Sequence, residues 1–170
     1  MPEDTEMRTA GGTVVIAYDG SPAARQAVAD AAKVLGSGQV LLVTVWEEGL
    51  AYELSATPAN GIYTAPAIQP DVAREVDRSL HERAEQVSQD GAALARSLGL
   101  HAQPLAVPDE GGVARTILRV AEEHRAVAIV VGSRGLSGIR ARLEGSTSKG
   151  VLKHARCAVL VVHGPDEGRP

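Results

Sequence analysis

The feature that most constrains this chain is a regular alternation. Short runs of β-branched and aliphatic residues are separated by longer stretches whose apolar positions recur every three to four residues. The runs fall at residues 13–18, 39–46, 100–107, 127–131 and 157–162. Their length and their Val, Ile and Leu content suit strands, several of them buried on both faces. Between the first two, Ser21 and Pro22 read as the cap and first turn of a helix that Gly36 stops near residue 35. Ala24, Ala27, Val28, Ala31, Val34 and Leu35 mark its apolar face. A longer helix is predicted from residue 71 to 98, with Val72, Val76, Leu80, Ala84, Val87, Gly91, Leu94 and Leu98 inward and Arg74, Glu75, Arg78, Glu82 and Glu85 outward. A third follows Gly111-Gly112 and carries Val113, Ile117, Val120 and Ala121 on its apolar side, and a fourth covers 146–154. The order βαβαβαβαβ predicts right-handed crossovers and an open parallel sheet with helices on both faces, an α/β chain in three layers.

Composition bounds what such a chain does. With 170 residues, 44% of them hydrophobic, it suits one domain with a full core. The chain has no Phe, and Trp46, Tyr18, Tyr52 and Tyr63 are its aromatics, so the core is aliphatic and stacking on nucleic-acid bases is disfavoured. A net charge of −4 makes nucleic acid and anionic membranes poor general partners. Cys157 is the one cysteine, which excludes an intrachain disulfide and favours a reducing cytoplasm. Residues 1–12 are acidic and without period, and no apolar segment approaches membrane-spanning length. The domain is therefore expected at 13–163, between tails at 1–12 and 164–170. Pro58, Gly61, Pro66 and Pro70 punctuate a long connection at 47–70. The histidines His81, His101, His124, His154 and His163 show no metal-ligand spacing and read as surface residues.

One stretch carries chemistry. After the fourth run, Gly132, Gly135 and Gly138 form a loop whose backbone a ligand can approach closely. The chain restarts at Gly145-Ser146-Thr147-Ser148, small hydroxyl residues at a helix N-terminus, where free N–H groups and the dipole favour an anion. From Ser133 to Arg156, six basic residues (Arg134, Arg140, Arg142, Lys149, Lys153 and Arg156) face the single acid Glu144. The spacing Gly132-x2-Gly135-x9-Gly145-Ser146 resembles the G-2x-G-9x-G-[S/T] signature of the ATP-binding branch of the universal stress protein family, and the resemblance runs from about residue 13 to 162.

That resemblance implies a five-stranded Rossmann-like sheet in the order 3-2-1-4-5, of the adenine nucleotide alpha-hydrolase-like kind. The alternation by itself leaves a flavodoxin-like 2-1-3-4-5 order open. It also implies ATP with Mg²⁺ as ligand, with Gly132, Arg134, Gly135, Gly145, Ser146 and Thr147 at the ribose and phosphates and Ala17 and Val45 lining an apolar adenine slot. Asp19 stands where the family has an Asp, whose carboxylate accepts hydrogen bonds from a ribose hydroxyl or an adenine amino group. An Asx bond within the Asp19-Gly20 turn is the alternative. Two residues depart from the family pattern: Glu144, beside the expected phosphates, and Ala158, in place of a frequent Pro. Cys157 reads as a small hydrophobe. A homodimer through the fifth strand and an unidentified regulatory protein partner are further implications. No catalytic dyad or Walker A lysine pattern is visible, so the expectation is a nucleotide-dependent regulatory module in stress response with at most slow ATP hydrolysis. The rivals are a slow ATPase or phosphotransferase, a receiver domain with Asp19 as phosphoacceptor, and a dimerisation module without nucleotide.

Overall fold

The computed structural model describes residues 12–49, 69–132 and 146–162. In chain order the elements are β1 (Val14–Ala17), α1 (Pro22–Leu35), β2 (Gln39–Trp46), α2 (Pro70–Ser97), β3 (His101–Pro108), α3 (Val113–Glu123), β4 (Ala128–Gly132), α4 (Ser146–His154) and β5 (Ala158–Val162). The strands form one parallel sheet in the order β3-β2-β1-β4-β5, which sets the flavodoxin-like alternative aside. Strand β1 is central, with Val15 opposite Leu41 on one side and Ile129 on the other. The chain runs outward from β1 to β3, then returns to β4 and continues to β5. Right-handed crossovers in opposite directions put their helices on opposite faces.

Side chains that alternate along each strand therefore feed two cores. Ile16, Leu42 and Val130 pack with Ala27, Val28 and Ala31 of α1 and Ala92 and Ala95 of α2. Val15, Val43, Ile129 and Val131 pack on the other face with Ile117, Val120 and Ala121 of α3 and Val151 of α4. Burying each such aliphatic side chain contributes about 1.5–3 kcal/mol, and with no Phe the sheet relies on many of them. The outer position of β3 accommodates Pro104, which lacks the N–H that a central strand needs.

Several expectations shift. Pro70 is the first residue of α2 rather than the last of the loop, a position its fixed φ suits. Residues 50–68 of the expected 47–70 connection lie outside the described residues. Val127 and Cys157 fall just before their strands, and Val127 is exposed although its N–H donates to the Thr13 carbonyl. The apolar faces are also rotated. Val34, Val72, Val76, Leu98 and Leu152 are exposed, and the buried stripe of α2 is Ala73, Ala84, Ser88, Gly91, Ala92 and Ala95. Small side chains let this helix lie close to the sheet, so the contact line follows them and the larger Val87 and Leu94 flank it half-buried.

Candidate functional site

The sheet order reverses between β1 and β4, and ligands in open α/β sheets bind beyond the carboxyl ends of the strands at such a point. At the end of β1 the backbone is fully engaged. The Tyr18 N–H donates to the Val43 carbonyl at 2.8 Å, and the buried Thr44 hydroxyl donates to the Tyr18 carbonyl at 2.8 Å. Gly20 turns the chain at φ +76°, a conformation that other residues rarely adopt. Ser21 then caps α1, accepting from the Ala24 N–H at 3.1 Å. Asp19 lies in this turn and its Oδ1 accepts from the Ser21 N–H at 2.9 Å, the Asx arrangement weighed above.

Across the switch point, β4 ends at Gly132. A Cβ there would stand 3.3 Å from the backbone of Ala23, so glycine lets β4 run close under the first turn of α1. The buried Ser148 hydroxyl donates to the Gly132 carbonyl at 2.9 Å. Ser148 is thus spent on fastening the start of α4 to the end of β4, and the hydroxyl residues left at that helix start are Ser146 and Thr147. The first turn of α4 contains no acid.

Helix α4 in turn lies against α3. A Cβ on Gly150 would come within 2.6 Å of Ala114 Cβ, so the two helices touch at a distance only glycine permits. Beside this contact a cleft of about 580 Å³ opens, walled on the α3 side by residues 111–115 and Leu118 and on the α4 side by Ser146, Thr147, Gly150 and His154. Val113, expected in the core, is exposed and lines the cleft instead. The turn that leads into α3 is held by Asp109, whose Oδ1 accepts from the Gly112 N–H at 2.8 Å and the Thr116 hydroxyl at 3.0 Å. One helical turn on, Arg119 lies 2.6 Å from Glu123 and 3.1 Å from Glu110. The Glu123 hydrogen bond holds this guanidinium above its ordinary pKa.

Of the residues singled out from sequence, Ser146 and Thr147 line the cleft. Ala17 and Val45 are half-buried on the α3/α4 face of the sheet, the same face as the cleft, but are not part of its wall. Gly132 is at the end of β4, joined to the cleft through Ser148, and Asp19 belongs to the α1 turn. Arg134, Gly135, Gly145 and Glu144 lie outside the described residues. Sequence reasoning missed the α3 wall. Its signal was the Gly111-Gly112 pair between a strand and a helix, with both residues at positive φ, +91° and +112°. It also took all histidines as surface residues. His101, His124 and His154 are indeed exposed, His154 at the cleft wall, whereas His81 is half-buried beside Trp46, ring centroids 5.2 Å apart. Among the described residues no group of three His, Cys, Asp or Glu side chains is placed to hold a metal ion. No helix among them is long and apolar enough to cross a membrane.

Comparison with known proteins follows the same lines. The model of the universal stress protein family matches residues 12–163. A universal stress protein of Thermus aquaticus, named for its place in the QAH/OAS sulfhydrylase 3'region, is 32% identical over 151 residues, covering 88% of this chain and 97% of its own. Among solved structures, the hypothetical protein MJ0577 aligns with a TM-score of 0.72 at 20% identity, over 92% of this chain and 98% of that one. A universal stress protein family protein from Arabidopsis thaliana with AMP bound aligns at 0.60 and 19% identity, over 94% and 96%. At these identities the two structures bear on the fold alone.

Proposed function

This chain belongs to the universal stress protein family, and from that premise we propose that it binds ATP with Mg²⁺ beside the cleft between α3 and α4 and serves as a nucleotide-dependent regulatory module in the cytoplasm. The observation that carries the reading is the start of α4. Its N-terminal Ser146 and Thr147 open onto a cleft at the carboxyl end of the sheet, with no acid in the first turn and with Ser148 anchoring the helix to β4. Free N–H groups and the positive dipole end at such a place favour phosphate. Ala17 and Val45, apolar and on the same face, suit an adenine ring. The AMP bound to the Arabidopsis relative fits the same ligand class. In this reading Mg²⁺ is carried chiefly by the phosphate oxygens, as is usual for that ion.

Calorimetry with ATP and Mg²⁺ tests it. The expected dissociation constant is micromolar, roughly −8 kcal/mol. Gly135→Val and, separately, Gly145→Val abolish binding in proteins that still unfold cooperatively, while Asp19→Ala weakens it less. Unchanged affinity in both valine variants would overturn the site. Hydrolysis in single-turnover assays stays far below the common enzyme rate of about 10 s⁻¹.

The partner that most directly fits this module is a second copy of itself. Strand β5 is a sheet edge whose Val159, Leu160 and Val161 are half-buried, and an apolar edge left open invites pairing. A two-fold axis beside β5 lets each edge satisfy the other. Light scattering of the wild type and of Val161→Lys decides: a dimer that becomes a folded monomer is expected, and a wild type monomeric at high micromolar concentration refutes it.

A further inference from the structure

We infer that Arg115 reads the length of the phosphate chain, so that this site prefers nucleoside triphosphates to monophosphates; the inference rests on the nucleotide reading above. Arg115 lines the cleft together with Ser146 and Thr147, so a guanidinium on α3 and the amide-rich start of α4 border one space. These are two anion-attracting walls of different elements. A single phosphate satisfies one of them, and a chain of phosphates spans both.

Three observations single out Arg115 from the other basic residues of this region. Its neighbour on the next turn, Arg119, is neutralised by Glu110 and Glu123, whereas Arg115 has no ion-pair or hydrogen-bond partner among the described residues. The one acid at the turn into α3 whose bonds bear on this wall, Asp109, has an oxygen taken up by Gly112 and Thr116. The guanidinium lies over the glycine turn, Arg115 Nη1 being 3.3 Å from where a Gly111 Cβ would stand, and the φ of +91° there is one that other residues rarely adopt. An arginine is the apt residue for this task, because its planar fork donates two parallel hydrogen bonds to phosphate oxygens and keeps its charge at any physiological pH. Being exposed, it recruits the added phosphates in partly screened surroundings, so the preference weakens as salt rises.

The test is calorimetry of wild type, Arg115→Gln and Arg115→Lys with ATP, ADP and AMP, each with Mg²⁺. Arg115→Gln is expected to weaken ATP about ten- to hundredfold while AMP changes by no more than about twofold, the range for losing a charge-assisted hydrogen bond. Arg115→Lys retains part of the preference, since its ammonium keeps the charge without the fork. Equal losses for ATP and AMP, or an ATP affinity unchanged in Arg115→Gln, overturn the inference while leaving the nucleotide reading intact. A wild type that binds none of the three overturns both. Thermal unfolding checks each variant; should Arg115→Gln fail to fold, the ATP-to-AMP ratio of Arg115→Lys decides, reduced if Arg115 reads the chain and unchanged if it does not.

Discussion

On the α1/α2 face of the sheet, Gly91 lies against the buried Tyr18 ring, and a Cβ there would come within 2.6 Å of it. On the α3/α4 face, Gly150 lies against Ala114 at the same built distance, 2.6 Å. Both glycines sit inside helices, where each weakens the helix by about 1 kcal/mol relative to Ala. Both permit a contact that no other residue allows. The outcomes differ because of what fills the space. Beneath α2 an aromatic ring seals the end of β1, and the Ser21 cap and the Thr44 hydroxyl consume the polar groups around it. Beside α3 the partner is only a methyl group, and among the described residues a cleft lined by both helices remains next to the contact. One close approach seals a packed core, and the other borders an open cleft.

The largest effect that tests this contrast is at Gly91. Gly91→Val drives two methyls into the Tyr18 ring and should destabilise the protein by about 3 kcal/mol, the upper end of ordinary overpacking. Urea unfolding measures it. An unchanged midpoint would mean that Tyr18 moves freely and that the face is not sealed. Gly150→Ala is expected to be milder, a net loss of about 1 kcal/mol, since strain of about 2 kcal/mol is partly offset by the better helix former. Its main effect should be on nucleotide affinity, because α3 and α4 separate. Adding Ala114→Gly makes room for the new methyl, and the pair should show a coupling energy of about 0.5–3 kcal/mol in a double-mutant cycle. Additive effects would disconnect the cleft from this contact.

The two serine substitutions are comparable to Gly150→Ala in their effect on stability. Ser21→Ala and Ser148→Ala each remove one buried hydrogen bond and should cost about 1 kcal/mol of stability. Only Ser148→Ala should also weaken ATP binding, because the Ser148 hydroxyl ties the α4 start to β4. Equal effects on binding would erase the distinction between the faces. The smallest effect belongs to Asp30 on α1, whose carboxyl is held below its ordinary range by the Lys33 hydrogen bond and then by Gln26. A lowered folded pKa contributes stability above the unfolded value and loses it as pH falls through the folded one. Asp30→Asn should therefore be slightly less stable than wild type at neutral pH and equal to it in acid. Because the Asp30 carboxylate meets Lys33 at the surface, with its side chain 34% exposed, a large difference at neutral pH would contradict that placement.

The strands and helices were legible because a β-branched run and a stripe repeating every three to four residues report the local geometry of the chain. Ser21, Pro22 and Gly36 marked helix ends for the same local reason. Sheet order was not legible in that way: the alternation leaves two orders open, and the choice came from a resemblance and then from the pairing of β1 with β4. The buried side of α2 was legible only approximately. Periodicity favours the largest apolar residues, but the contact line follows Ala84, Ser88, Gly91 and Ala95, because close packing selects the side chains that let helix and sheet approach. In the same way Ser148 looked like one hydroxyl among three until its bond to Gly132 removed it from the cleft. The cleft, with Gly111 and Arg115 on the α3 side and His154 on the α4 side, was decided wholly by tertiary structure. Residues 111–118 and 146–154 are far apart in the chain. Sequence by itself determined which segments become strands and helices and where a phosphate-friendly helix begins; only packing across the sheet decided what stands opposite that helix, since contacts at long sequence separation leave no period in the chain.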